Sequence, residues 1–191
     1  MFKKIKDRVR DARARARLCA HLANLGIDAE LVEKGAPEDI GKTSLFTPFK
    51  GITRDLGSIR VIGKEIDVIQ VNRYSDDWGA ASYEIDYAVK GRIKGKEESV
   101  KAKTELKTKG LIRKKVLDIR WTGGEIAELL DEDQSLKELM LQEQIRNIEI
   151  NPDKKRPYVR IRTGARHGEF PAEKAFECYN KIAKHIRKLL Y

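Results

Sequence analysis

The chain has 191 residues, 40 of them Lys or Arg and 30 Asp or Glu, for a net charge of +10. A hydrophobic share of 40% with clear periodicity excludes a disordered chain. Two cysteines exclude a disulfide framework and the paired-cysteine zinc ribbons, and no apolar stretch is long enough to span a bilayer.

Residues 1–26 read as a basic amphipathic helix. Phe2, Ile5, Val9, Ala12, Ala16, Cys19 and Ala23 recur in steps of three and four, which builds one apolar stripe, and Gly26 closes it. Lys6, Arg10, Arg13 and Arg17 flank the stripe on one side, and Lys4, Arg8 and Arg15 on the other. Leu18, Leu22 and Leu25 add a second apolar side, so the last turns should be buried. Three dockings stay open. The stripe packs on its own domain or on a twin chain, giving a homodimer. Or Phe2, Ile5 and Val9 enter an anionic membrane surface, with Arg8, Arg10, Arg13, Arg15 and Arg17 at the headgroups. Or the arginines lie along a nucleic-acid backbone.

Residues 27–57 are broken by Pro37, Pro48 and four glycines and read as an irregular connecting segment. Residues 58–191 read as an α+β domain. Ile59 to Ile62 and Ile66 to Val71 are β-branched strands, and Tyr83, Ile85, Tyr87 and Val89 alternate with polar partners as a half-buried one. Val100, Ala102, Thr104 and Leu106 alternate with Lys101, Lys103, Glu105 and Lys107, Lys109-Gly110 turns, and Leu111 to Trp121 returns. This is an antiparallel meander, and curling it into a partly closed barrel is one way to bury it.

Thr122 with Glu125 forms a capping-box pattern ahead of an acidic middle helix to about Gln142. A hairpin of Ile148–Ile150 and Val159–Ile161 follows. A C-terminal helix then carries Phe176, Tyr179, Ala183, Ile186 and Leu190, with Pro171 at its first position.

No nucleophile signature, phosphate loop or dinucleotide fingerprint occurs. Cys19, His21, Cys178 and His185 are too badly spaced for a zinc site, so no metal and no cofactor are expected. Asp76 and Asp77 beside Trp78 are read as turn formers, with a hard cation or acid–base work as the alternative.

Charge is the informative feature. Residues 1–17 carry +6, residues 151–191 carry +7, and residues 90–115 carry +8. Heavy use of Lys, Arg, Glu and Ile with two Met also resembles the composition of proteins from hot environments. In the strand after Lys154, Lys155 and Arg156, the residues Tyr158, Arg160 and Arg162 share one face, with Arg166 beyond. An exposed ring beside guanidinium groups stacks a base and holds its phosphates. The competing reading pairs Arg160 and Arg162 with the acidic helix at 125–133. The sequence thus favours a non-enzymatic binding module for a phosphate-bearing polymer, RNA first, contacted by Lys154, Lys155, Arg156, Tyr158, Arg160, Arg162 and Arg166. Peripheral membrane association through the first helix and a small enzyme are the alternatives. Free cysteines and no secretion-signal pattern make the cytoplasm the expected compartment.

Overall fold

The structure, a computed structural model, describes residues 2–41, 52–75, 81–109, 115–153, 156–163 and 170–191. For residues 2–12, 52–54, 74–75 and 81–82 it describes the backbone alone. The chain runs α1 (Phe2–Asn24), β1 (Ala29–Leu31), β2 (Ile52–Val61), β3 (Val68–Ser75), β4 (Ala81–Lys90), a 3-10 turn (Glu97–Val100), β5 (Ala102–Lys109) and β6 (Lys115–Gly123). It continues through α2 (Glu125–Glu132), α3 (Gln134–Gln142), β7 (Ile148–Pro152), β8 (Tyr158–Thr163) and α4 (Glu173–Lys188).

All eight strands form one antiparallel sheet in the order β1-β2-β3-β4-β8-β7-β5-β6. The class is α+β, as the element order implies. The expected barrel is not formed: β1 and β6 are separate edges of an open sheet. Nor is the meander continuous. The β7–β8 hairpin inserts between β4 and β5, because β8 satisfies the free edge of β4 over five register pairs while β5 meets β7 only at Ala102 and Lys103.

Alternation decides the two faces. Ile59, Ile69, Tyr87, Ile161 and Ile150 fall on one face and join Trp121 of β6 and Ile126, Leu136, Ile182 and Ile186 from the helices in a single core. Tyr87 stacks on Tyr179 at 4.3 Å between ring centroids, and Phe176 meets it edge-on. Leu18 and Leu22 of α1 belong to the same core, packed over β1 and β2. The helices therefore lie on one face, and among the described residues the other is helix-free.

Several local readings are corrected. Residues 29–31 and 52–57, inside the stretch that reads as irregular, pair as β1 and the start of β2. Thr122 does not cap α2; its hydroxyl meets Glu105, and Gly124 takes the cap position with no side-chain bond. Glycine is required there, since a Cβ on Gly124 would lie 2.0 Å from the backbone oxygen of Glu98. Pro171 sits one residue before the α4 cap, Ala172.

The middle helix breaks at Asp133. Its carboxylate accepts from the Leu136 amide at 2.9 Å and the Ser135 hydroxyl at 2.7 Å, starting α3 as a new helix. His185 Nε2 of α4 lies 2.8 Å away. Burial alone would raise the Asp133 pKa, but the bonds from His185, Ser135 and Leu136 outweigh it and hold the carboxyl well below its ordinary range. Its contribution is thus present above about pH 4 and fades as pH falls through the lower native value. Asp133→Ala is expected to cost about 1–2 kcal/mol at neutral pH. In denaturant titrations that loss should shrink on acidification below about pH 4.

Candidate nucleic-acid interface

Tyr158, Arg160 and Arg162 do share the helix-free face, as their alternation requires, but that face is closed over β8. Tyr158 is 4% exposed and packs with Ile40, Val68 and Ala88. Arg160 is 2% exposed. Its Nε and Nη2 both donate to Asp153 Oδ2, at 2.9 and 2.7 Å, and Nη2 also donates to the carbonyls of Ile40 and Gly41. Arg156 donates to the Asp39 carbonyl. Asp39 in turn accepts from the Gly35 amide and the Ser58 hydroxyl. Residues 39–41 are thus tied down across this half of the sheet. A ring and guanidinium so placed cannot stack a base.

The alternative pairing is corrected as well. The acidic helix α2 lies on the core face, whereas Arg160 and Arg162 point the other way and meet Asp153 and Asp86. Lys154, Lys155 and Arg166 lie outside the described residues.

Asp86 occupies the centre of the helix-free face, opposite Gln70 on β3 and Arg162 on β8. It is 2% exposed, and its Oδ1 has no hydrogen-bond partner. Gln70 is committed elsewhere, accepting from Ser58 and donating to Asp55. Arg162 Nε stands 3.8 Å from Asp86 Oδ1, too far for a hydrogen bond. Burial dominates over this attraction and pushes the Asp86 pKa up to about 6.

Of the first-helix residues, Arg15 donates to the Val32 and Ser58 carbonyls and passes over Gly57, whose φ of +103° favours glycine. Arg17 lies over the Phe170 ring. Arg13 is exposed. The side chains of Phe2, Ile5, Arg8, Val9 and Arg10 are outside the described set. From Ala14 onward the buried side of α1 is spent on its own sheet, at Ala14, Leu18 and Leu22, which removes that part from a membrane or twin-chain role. No helix among the described residues is long and apolar enough to cross a membrane.

Among the described residues, the first-helix block and the ribbon block do not merge into one patch. Helix α1 covers the β1–β2 end of the sheet on the core face, whereas β5 and β6 end the sheet on the other side. Seven strand spacings separate the two edges, roughly 30 Å or more.

The β5–β6 hairpin carries the open charge. Past Lys103, β5 pairs with β6 alone, so residues 104–109 and 115–121 form a two-stranded ribbon beyond the body of the sheet. Its inner face, Val116, Ile119 and Trp121, is buried against α2 and α3. On its outer face stand Lys103, Lys107, Lys109, Lys115 and Arg120, all exposed, with Glu105 and Asp118. A bulge at Lys107/Thr108 places Lys109 directly opposite Lys115. Among the described residues, none of these five cations has a carboxylate within 4 Å.

The outer edge of β6 is closed to another strand. The amides of Val116, Ile119 and Trp121 donate to the side chains of Gln144, Asp118 and Asp131 at 2.9–3.0 Å. A strand added here would find those donors taken.

Four of the five ribbon cations, Lys103, Lys107, Lys109 and Lys115, belong to the 90–115 block that the sequence shows as charge, and Arg120 lies beyond it. The available signal is the alternation of Lys103 and Lys107 with Ala102, Thr104 and Leu106, which puts both on the polar face.

Among the described residues no group of three or more His, Cys, Asp and Glu could hold a metal ion. Cys178 is buried in the core, and His21 sits against the Pro171 carbonyl and the Phe170 ring. Asp76, Asp77, Trp78 and His167 lie outside the described residues. Compared with protein-family models, with curated proteins and with solved structures, the chain matches none of them.

Proposed function

We propose that the chain binds a phosphate-bearing polymer, RNA first, through the outer face of the β5–β6 ribbon. The observation that supports this reading is the Lys109–Lys115 pair. Like charges directly opposite one another destabilise a ladder, and here they are joined on one exposed face by Lys103, Lys107 and Arg120; Asp118 and Glu105 stand opposite the latter two, and among the described residues no carboxylate lies within 4 Å of any of the five. An anion offsets that repulsion. The connecting residues 110–114 add Arg113 and Lys114 in sequence and no acid. The closed face over Tyr158 and Arg160 moves the site off β8, where the sequence alone would have put it.

The test is fluorescence anisotropy with a labelled mixed-sequence RNA, titrated from about 50 mM salt upward. Wild-type protein is expected to bind with an affinity that falls steeply with salt, and Lys107→Glu, Lys109→Glu and Lys115→Glu together should weaken it at least tenfold. Three lost phosphate contacts should also flatten the log–log salt slope by about three. Wild-type binding no tighter than that of an acidic control protein overturns the reading.

A further inference from the structure

We infer that the preferred ligand of the ribbon face is a double helix gripped by its phosphates, with no base read or stacked. This rests on the phosphate-polymer reading above and sharpens it to one class of polymer.

Two features of the face carry the inference. The first is what it lacks. Proteins that hold single strands gain about 1–3 kcal/mol per base from stacking on aromatic rings. Among the described residues of the outer face of β7, β5 and β6 there is no aromatic. Glu149, Asn151, Lys103, Glu105, Lys107, Lys109, Lys115, Asp118, Arg120 and Thr122 occupy it. Trp121 points into the core at 3% exposure, and Tyr158 is closed off on β8. Only the charge interaction remains. That interaction follows the density of phosphates, and a double helix carries one charge per about 1.7 Å of axis, twice that of one of its strands.

The second feature is shape. Lys103, Lys107 and Lys109 lie on one side of a single strand, so the cations span about 20 Å along it. Arg120 and Lys115 run beside them on β6, one strand spacing away. Because β5 leaves β7 after Lys103, the ribbon stands clear of the neighbouring strands along that length. A two-stranded ribbon of this kind is narrow enough to lie along the major groove of B-form DNA, about 12 Å wide, or over the wide, shallow minor groove of an RNA duplex, with its cations meeting the flanking phosphates. Helices α2 and α3 back the inner face and leave the outer one unobstructed.

The experiment is a competition titration with wild-type protein and labelled mixed-sequence RNA. The competitors are mixed RNA and DNA duplexes of about two helical turns, poly(U) and poly(A), compared at equal phosphate concentration. Duplexes are expected to compete at least tenfold better than either homopolymer, and duplexes rich in A·T or A·U pairs should match those rich in G·C. A difference between RNA and DNA duplexes identifies the source of the phosphates and leaves the inference standing. Homopolymers competing as well as duplexes, or duplexes differing tenfold by sequence, overturn the inference while the phosphate-polymer reading survives. Absence of any binding to the labelled RNA overturns that reading itself.

Discussion

Replacing Arg160 by alanine is expected to cost the fold about 3–5 kcal/mol, because one partner of a buried ion pair would be left without its counter-charge. Asp153 and Arg160 have side chains only 4% and 3% exposed, so water cannot take over the lost bonds. The Ile40 and Gly41 carbonyls lose their donor in the same step. For a domain of this length such a loss corresponds to a fall in Tm of about 10 °C or more. The pair Arg160→Met with Asp153→Leu should recover part of the stability, since no buried charge is then left without its partner, although the Ile40 and Gly41 carbonyls still lack their donor. A loss below about 1 kcal/mol for Arg160→Ala contradicts the structural role given to this residue.

Asp86→Asn is expected to act in the opposite direction. The Asp86 carboxyl moves from an ordinary value near 4 to about 6 on folding, with Arg160 and Arg162 attracting it and Glu84 repelling it. Between those two values the native state keeps a proton that the unfolded chain has released. Stability is therefore undiminished below about pH 4, falls as pH rises to about 6, and stays lowered above that. At 1.36 kcal/mol per pH unit the deficit is about 3 kcal/mol. Asparagine has no charge to bury, so the substitution should raise the unfolding free energy by about 2–3 kcal/mol near pH 8 and leave it unchanged near pH 4. Thermal melts at both pH values check this. A destabilised variant at the higher pH would show that the Asp86 charge is well paired after all.

These two residues mark where a sequence stops being informative. The alternation of Tyr158, Arg160 and Arg162 against Val159 and Ile161 assigns their faces correctly, as does the alternation of Tyr83 to Val89. It cannot say which face is open. That depends on Ile40, 120 residues away from Arg160, whose carbonyl receives the guanidinium. A basic strand face followed by a Lys-Lys-Arg loop looks the same whether it meets RNA or its own chain. Insertion of β7–β8 between β4 and β5 is likewise a long-range choice with no local signature.

Other misses had a signal. Asp133 followed three residues later by Leu136 is a helix-start pattern, hidden because the apolar period of α2 continues almost in phase into α3. Net charge was countable by block, but a count holds no positions. The first-helix block and the ribbon block lie at opposite ends of an eight-stranded sheet. Among the described residues, the ribbon's five exposed cations share one face with Glu105 and Asp118, and none of them has a carboxylate within 4 Å.

The face opposite the core has a closed half over β8, where arginines hold the fold together, and an open half on the β5–β6 ribbon, the proposed ligand face. Amide chemical shifts of isotope-labelled protein, followed while a short mixed-sequence RNA is added, test that division directly. The shifts are expected to move at residues 103–109 and 115–122 and to stay in place at 156–162. Perturbations centred on 156–162 with a silent ribbon would contradict it.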